Sequence, residues 1–291
     1  MTYLRQFFSA LLLLGATVAG QCAETPTPPR GAVVRVVSQT VGTDELLLAL
    51  AAPEQVAALS HLARDPAFSA VPEAAKRFPQ LMVNGDAESI LRYAPTLVLF
   101  ANYSRAELVV QIQRAGVRVL IFDRYDTLDD VYANLHRLAH ELGAEARAER
   151  LIADCQARMA ALAARLRHVK PVRVIAPSPY GMIPGWHSTF QDLCDHAAAE
   201  NLAATLGHLE GHAVPPSEQM LAWPVDYVVV AGTGLEPALA PYRTIPPYEY
   251  MPAVREGRAV LLQPCLLSCV SHHRIDGYEM LAQALHPEAF R

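Results

Sequence analysis

Charged residues are sparse in this chain, and basic residues form no cluster. Asp, Glu, Lys and Arg make up 18% of the 291 residues, and the formal net charge is -5. Proteins whose main partner is nucleic acid concentrate Lys and Arg on one face or along one helix, whereas here these residues are scattered. The composition therefore argues against nucleic acid as the main partner.

Long hydrophobic runs are missing beyond the N-terminus. The apolar run over residues 7–19 follows Arg5 and leads into small residues, and it is shorter than the roughly 20 residues that a bilayer span needs. This pattern predicts a cleavable signal peptide at residues 1–23 and a flexible, proline-containing leader at residues 24–32. The mature protein is expected to be exported and soluble.

Cysteine is also scarce. The chain has five, of which Cys155, Cys194, Cys265 and Cys269 fall in the predicted mature part. An oxidising compartment permits a disulfide, and Cys194 with Cys265 or Cys269 is one pairing; buried free thiols are the alternative. No paired C-x-x-C spacing occurs, so a zinc site is not expected.

Recognisable catalytic motifs are absent in any supporting context. No dinucleotide fingerprint, P-loop, G-x-S-x-G elbow or H-E-x-x-H helix can be placed on the expected elements. An exported metal-dependent hydrolase using His61, His187 or His272 is the rival class, but it needs three convergent ligands and an open position. The spacing supplies no such set, so we predict no catalytic residue, no metal ligand and no enzymatic activity.

The chain contains one short sequence pattern that occurs twice. Residues 88–100 and residues 218–230 each read as a short helix, a proline break and a buried strand. Proline disfavours helical geometry in the preceding residue, so the helix ends there and the β-branched run begins just after it. The repeat predicts two similar α/β lobes with a cleft between them, a common place for a small ligand.

The rest of the chain alternates in the same way. We predict a turn at Gly42-Thr43 and a helix from Asp44 to Leu50 in a first lobe over residues 33–143. Residues 144–169 are rich in good helix formers and predict one connecting helix, roughly 35 Å long at 1.5 Å per residue. A second lobe follows over residues 170–291. Strands that alternate with helices imply mostly parallel sheets covered on both faces.

With these patterns in view, the chain resembles the periplasmic binding proteins of ABC importers for vitamin B12, ferric siderophores and haem. Four segments carry the resemblance: Asp86-Ala-Glu88-Ser-Ile; Ala94-Pro95-Thr-Leu-Val-Leu99; Gly116-Val-Arg-Val-Leu-Ile-Phe-Asp123; and Ser217-Glu218-Gln-Met-Leu221 leading to Asp226-Tyr-Val-Val. Thr96 stands where the family usually has Asp. The resemblance implies two Rossmann-like lobes joined by a single long α-helix, a rigid hinge, a periplasmic location and a monomer.

The resemblance also implies partners. An ABC permease and its ATPase would receive the ligand, with one carboxylate on each lobe docking onto permease arginines. Glu218 matches the second-lobe position, and Glu107 lies within one residue of the first-lobe position. The alternative for each is a carboxylate that only stabilises a helix N-terminus.

The ligand is expected to be an iron siderophore or cobalamin, with haem as the alternative and no separate cofactor. Tyr103 follows a strand where family members place an aromatic against the ligand, although a surface tyrosine is the plain alternative. The other candidates lie in loops expected to face the cleft: His61, Arg64, Tyr180, Met182, Trp186, His187 and His272. Solvated histidines, and a Trp186 that merely covers the second lobe, are the alternatives for this set.

Overall fold

The computed structural model of the chain describes residues 33–83 and 85–291. The predicted signal peptide and leader lie outside these residues. Residues 33–291 form one compact unit built on two four-stranded sheets. All strand pairs within these two sheets are parallel, which confirms the predicted α/β class.

The first sheet has the strand order β2-β1-β3-β4 and, with its helices, is called the first lobe below. Its strands are β1 (Val36–Ser38), β2 (Val56–Ala58), β3 (Leu97–Ala101) and β4 (Arg118–Phe122). Its helices are α1 (Val41–Leu50), α2 (Pro72–Ala75), α3 (Ala87–Leu91), α4 (Ala106–Arg114) and α5 (Leu128–Leu142).

Helix α6 (Glu145–Leu166) follows in the chain, and side chains along it bond to elements on both sides. Arg147 donates to the carbonyls of Leu50 and Ala51 at 2.8 and 3.0 Å, at the end of α1. Arg158 donates to Asp276 and Glu279 at 2.6 to 3.0 Å, on the last helix of the chain. The long helix expected from composition is present, and its role as a rigid connector stays a prediction.

The second sheet has the order β10-β9-β5-β7 and, with its helices, is called the second lobe. Its strands are β5 (Val172–Ile175), β7 (Ala199–Asn201), β9 (Tyr227–Ala231) and β10 (Ala259–Leu262), and a small antiparallel pair joins β6 (Ile183–Pro184) to β8 (His212–Ala213). Its helices are α7 (Thr189–His196), α8 (Leu202–Thr205), α9 (Ser217–Met220), α10 (Leu235–Leu239), α11 (Pro252–Arg255), α12 (Pro264–Leu267) and α13 (Arg274–Leu285).

Helix α1 begins three residues earlier than the sequence predicts. Thr40 is its N-cap and accepts a hydrogen bond from the Thr43 backbone N–H at 3.3 Å, while the Thr43 hydroxyl accepts from the Thr40 backbone N–H at 3.2 Å. This reciprocal cap satisfies N–H groups that a helix N-terminus would otherwise leave without partners. The predicted turn at Gly42-Thr43 is therefore wrong, because both residues lie in the first turn of the helix.

The apolar core is continuous from the first lobe, past α5 and α6, into the second lobe. Cys155, Cys194, Cys265 and Cys269 are all buried free thiols, so the considered disulfide does not form in this structure. Within the part of the chain that the structure describes, no helix combines the length and the apolar character needed to cross a bilayer.

Candidate ligand-binding site

A cavity of about 470 Å³ lies where loops of the first lobe face α12 and residues 268–270 of the second lobe. The loops that follow β1, β2 and β3 form one wall, and the segment after β10 forms the other. Each of these segments leaves the carboxyl end of a parallel strand, the edge at which open α/β sheets hold ligands. The cavity falls within the size range of small-molecule sites.

Tyr103 lines this cavity, directly after β3. Its ring packs edge-on against Tyr125, with centroids 5.9 Å apart and planes at 83°. Desolvation raises the pKa of Tyr103 although 60% of the residue stays exposed. Tyr103 therefore presents a neutral phenol and an open aromatic surface to the cavity.

His61 lines the same cavity, in the loop after β2. The backbone carbonyl of His61 accepts from Gln80 Nε2 at 2.5 Å, and a parallel bridge joins Leu59 to Gln80. This pairing brings His61 beside Met82, which also lines the cavity and is largely exposed. The first lobe thus offers an imidazole, a thioether and a phenol on one wall.

The floor of the cavity holds a buried carboxylate that reaches from one lobe to the other. Glu45 of α1 accepts a short hydrogen bond from the Ser271 hydroxyl and one from the Ala70 backbone N–H at 2.8 Å. Cys269 Sγ lies 3.8 Å from the same carboxylate. Burial raises the pKa of Glu45, and its hydrogen bonds oppose that rise.

Asp44 lies next to Glu45 and is fully buried. Its carboxylate accepts from the Ser60 backbone N–H at 3.0 Å and from the Ser60 hydroxyl at 2.5 Å. Desolvation nevertheless raises the pKa of Asp44 to about 7. Because Ser60 lines the cavity, Asp44 lies directly behind the cavity wall.

The second-lobe wall was missed by sequence reasoning. Cys265, Ser268 and Cys269 line the cavity, on α12 and just after it. Burial raises the pKa of Cys265 and raises that of Cys269 to about 12, so both line the cavity as neutral thiols. The sequence position of this segment could have indicated that it lines the cavity, because it directly follows the carboxyl end of β10.

Two further polar residues of the cavity were also missed. Gln39 follows β1, and Arg105 precedes α4. Arg64, the arginine predicted from sequence, instead donates to the Phe78 carbonyl at 2.5 Å and does not line the cavity. The cation on this wall is therefore Arg105, and a ligand contact for Arg64 stays a prediction without support from the cavity.

The predicted aromatic cluster of the second lobe is exposed but does not line the cavity. Tyr180 is 88% exposed, and Met182 and Trp186 are also exposed. The backbones of Trp186 and Glu210 form an isolated parallel β-bridge. The Glu210 carboxylate lies 3.7 Å from Nε2 of His187. This group therefore forms a separate surface on the loops around β6, and its contact with ligand stays a prediction.

His272 lies between α12 and α13, away from the cavity lining. Its ring is 4.1 Å from that of His273, and among the described residues its Nδ1 has no hydrogen-bond partner. Burial lowers the pKa of His272 to about 3. His272 is thus a neutral, largely enclosed side chain, and a ligand contact remains a prediction.

The two docking candidates are both exposed and both lie in a first helical turn. Glu107 belongs to α4 and Glu218 to α9. The hydrolase alternative gains no support, since residues 33–83 and 85–291 contain no group of three or more His, Cys, Asp or Glu side chains that could hold a metal ion.

Comparison with solved structures finds the same architecture in haem-binding proteins. RhuT of Roseiflexus sp. RS-1, solved in apo form, is 26% identical with a TM-score of 0.76, covering 89% of this chain and 100% of that one. A periplasmic haem-binding protein from Pseudomonas aeruginosa is 24% identical with a TM-score of 0.72, covering 87% and 92%. HutB of Vibrio cholerae is 21% identical with a TM-score of 0.73, covering 88% and 100%.

The profile of the periplasmic binding protein family matches residues 36–265, which include all of the first sheet, α6 and all of the second sheet. No curated protein matches the chain. The resemblance drawn from the sequence and the two-lobed fold that it implies are confirmed by the family match and by the solved structures. The chain belongs to the periplasmic binding protein family, the solute-binding components of ABC importers.

Proposed function

We propose that this protein binds haem in the cavity between its lobes and delivers it to an ABC permease without chemical change. The observation that carries the proposal is the composition of the first-lobe wall. His61, Met82 and Tyr103 supply an imidazole, a thioether and a phenol, each a known type of axial ligand for haem iron. Their position on one wall suits a flat ring that enters between the lobes.

Apolar area on the same wall supports a large planar ligand. Phe68 and Met82 are exposed large apolar side chains at the cavity, and Tyr103 adds an aromatic ring. Exposed apolar groups that gather around a concave site usually mark a binding surface. The proteins named as haem-binding among the solved structures support the same ligand class.

The location and partners follow from the family. Cleavage of a signal peptide within residues 1–23 would release the protein into the periplasm, where it would meet the permease through Glu107 and Glu218. Iron siderophores and cobalamin are the competing ligands. Cobalamin is much bulkier than haem, so it would need the lobes to separate.

An absorption titration tests the proposal. Purified protein is mixed with haem, cobalamin or a ferric tricatecholate, and saturable spectral change at one equivalent is expected with haem, at micromolar affinity or better. Saturable binding of cobalamin or the tricatecholate, with none of haem, would overturn the assignment. Hydrolysis of an ester or phosphate substrate with added zinc, in the absence of any binding, would favour the hydrolase class instead.

A further inference from the structure

Two thiols line the second-lobe wall of the cavity. Cys265 lies in α12 and Cys269 follows this helix, and both are free thiols. The two residues are 8% and 5% exposed, so dissolved molecules reach them through the cavity. Cys155 and Cys194 instead pack in the apolar core and do not line this cavity. The cavity thus sets one pair of cysteines apart from the other two that the structure describes.

The Glu45 carboxylate lies next to this pair of thiols. Cys269 Sγ is 3.8 Å from Glu45 Oε2 and 3.4 Å from the Ser271 hydroxyl oxygen. Burial, and after it the charge of Glu45, raises the pKa of both thiols. Thiolates rather than thiols take part in disulfide exchange, so the pair is expected to react slowly near neutral pH and faster at higher pH. Glu45 is placed to take up the proton that Cys269 loses.

The spacing of the two cysteines suits an intramolecular disulfide. Residues four apart on a helix have Cβ atoms about 5–6 Å from each other, whereas the Cβ atoms across a disulfide are about 3.8 Å apart. Helix α12 ends at Leu267, so Ser268 and Cys269 lie outside its regular geometry. A local rearrangement of roughly 2 Å after the helix would therefore bring the two sulfur atoms within bonding distance.

Residues next to Cys269 hold the second lobe against the first. A Cβ on Gly42 of α1 would lie 2.2 Å from Cγ2 of Val270. The Ser271 hydroxyl donates a hydrogen bond to Glu45, which is also on α1. Closely packed side chains do not deform freely, so a shift of Cys269 on disulfide formation displaces these contacts. The oxidation state of the thiols is in this way coupled to the shape of the cavity.

We infer that Cys265 and Cys269 are a redox-active pair, which a small disulfide oxidises to an intramolecular disulfide, and that this modification weakens ligand binding in the cleft. One cysteine thiolate attacks a sulfur atom of the oxidant and releases one thiol, which leaves a mixed disulfide. The second cysteine attacks the protein sulfur of that bond and releases the second thiol. The protein loses two hydrogen atoms and two thiols carry them away. The effect on ligand binding rests on the proposed function, whereas the thiol chemistry does not.

Oxidised glutathione, a small disulfide, is the probe for the first step. Reduced protein without haem is incubated with it, the remaining thiols are alkylated, and tryptic peptides are analysed by mass spectrometry. Cleavage after Arg258 and Arg274 places both cavity cysteines in one peptide, residues 259–274, while Cys155 and Cys194 fall in two others. We expect this peptide of the wild-type protein to lose two hydrogen atoms and to escape alkylation, and to do so faster at higher pH.

Cysteine variants test whether the two cavity thiols react with each other. Cys265→Ser and Cys269→Ser should form no disulfide within peptide 259–274, and the remaining cysteine should carry glutathione. Cys155→Ala is the matched control, because Cys155 is a buried free thiol that does not line the cavity. It should form the disulfide like the wild-type protein. Thermal unfolding of each variant checks that it is folded.

The second step compares haem affinity in the reduced and the oxidised wild-type protein. Oxidation should weaken haem binding by about fivefold or more, the lower end of the coupling usual between linked sites. Reduction with dithiothreitol should restore the affinity. The double variant Cys265→Ser/Cys269→Ser has no thiol at the cavity, so oxidised glutathione should not change its haem affinity.

Two results would overturn the inference while leaving the proposed function intact. One is a folded wild-type protein whose peptide 259–274 keeps both thiols under an excess of oxidised glutathione. The other is an oxidised protein that binds haem as tightly as the reduced protein. A reduced wild-type protein that binds no haem would instead overturn the proposed function and the coupling with it, and the peptide masses would still decide whether the disulfide forms.

Discussion

Arg274 and Asp192 form an almost completely buried ion pair, with Nη1 2.9 Å from Oδ2. The same guanidinium donates to the Tyr125 carbonyl at 2.8 Å and the Asp126 carbonyl at 3.1 Å, across on the first lobe. It also donates to the Cys269 carbonyl beside the cavity. One side chain of α13 therefore ties the first lobe to the second-lobe wall of the cleft.

Replacing Arg274 with Met should strongly destabilise the protein. Removal of the guanidinium leaves the buried Asp192 carboxylate with only the Tyr278 hydroxyl and the nearby His196 as partners. It also frees two first-lobe carbonyls, and such a change typically costs about 3 to 5 kcal/mol. Urea unfolding measures the decrease in the free energy of unfolding. Arg158→Met is the matched control, because Arg158 is partly exposed and pairs with Asp276 and Glu279, so about 1 kcal/mol or less is expected.

Addition of Asp192→Asn to Arg274→Met gives a second check on the same explanation. The double variant removes the Asp192 charge that Arg274 no longer balances, so part of the lost free energy of unfolding should return. Equal losses for Arg274→Met and Arg158→Met, or a double variant less stable than Arg274→Met alone, would contradict the role of the buried pair.

Gly42 marks another close approach between the lobes. A Cβ at this position would lie 2.2 Å from Cγ2 of Val270, on the opposite wall of the cavity. In an ordinary helix, Gly to Ala stabilises by about 1 kcal/mol, so propensity alone predicts a more stable Gly42→Ala protein. The contact predicts the opposite, a lower melting temperature and weaker haem binding, because the lobes are forced apart.

Shortening Val270, the facing side chain, separates the helix-propensity effect of Gly42→Ala from the effect of the steric clash. Val270→Ala in the Gly42→Ala background removes the clashing methyl group, so stability should recover relative to Gly42→Ala. A Gly42→Ala protein that melts at or above the wild-type temperature would show that the lobes do not approach this closely.

Asp44 predicts a pH dependence of stability. Its pKa of about 7 lies above the ordinary value of 3.8, so the folded protein holds a proton that the unfolded chain releases. The contribution of Asp44 is fully present below about pH 4 and is lost as the pH rises through about 7. In Asp44→Asn, Oδ1 can still accept from the Ser60 N–H, and Nδ2 can donate to the Ser60 hydroxyl oxygen. This variant should therefore flatten the pH dependence of the free energy of unfolding.

The measurement is the free energy of unfolding of both proteins between pH 4 and pH 8. Glu45, whose pKa is also raised, is present in both proteins, so the difference between the two curves reports Asp44 together with its repulsion by Glu45. We expect Asp44→Asn to gain stability relative to the wild type as the pH rises. Parallel curves over this range would rule out the proposed titration of Asp44.

The sequence predicted the elements better than it predicted which side chains face the ligand. Strands β3 and β9 begin just after the proline of each repeated segment, as predicted, because proline ends the preceding helix and a β-branched run follows it. His61 and Tyr103 were predicted because each follows a strand end; both line the cavity, and their contact with ligand stays a prediction. Arg64 was predicted because it lies in the same loop as His61, and only the folded loops decide that Arg105 reaches the cavity and Arg64 does not.

The second-lobe wall of the cavity was not predicted from the sequence, for a different reason. Aromatic and histidine residues drew attention to the loop from Tyr180 to His187, whereas the cavity wall comes from α12 and the small side chains after it. The residue types of Cys265 and Ser268, both small, give little indication that these residues line a cavity. Their place at the cavity is set by how the two lobes pack, which involves Glu45 and Ser271, 226 residues apart in the chain.

Tyr103 should contribute through its ring. Packing of an aromatic face on a flat ligand depends on area, and Tyr103→Phe keeps that area while it removes only the hydroxyl group. We therefore expect Tyr103→Phe to bind haem within about twofold of the wild type and Tyr103→Ala to lose about tenfold, since burial of apolar area is worth about 25 cal/mol per Å². Affinities come from the absorption titration.

Tyr250→Ala is the control for Tyr103→Ala, because Tyr250 is 59% exposed, similar to Tyr103, but does not line the cavity. It should bind haem normally. If Tyr103→Phe lost as much affinity as Tyr103→Ala, with a shifted visible spectrum, the phenol would be an iron ligand and the ring-packing explanation would be wrong.

Glu218 and Glu107 should act on delivery rather than on capture. Both carboxylates are exposed and neither lines the cavity, so alanine at either position should leave haem affinity unchanged. If they dock onto permease arginines, uptake in cells that depend on this importer should fall several-fold in each variant, and further in the double variant. Glu54→Ala is the control, because Glu54 is exposed but precedes β2, whereas Glu107 follows β3. In a parallel sheet the two residues therefore lie toward opposite ends of the strands. Uptake that is unchanged in Glu218→Ala, or lowered equally in Glu54→Ala, would remove the docking role.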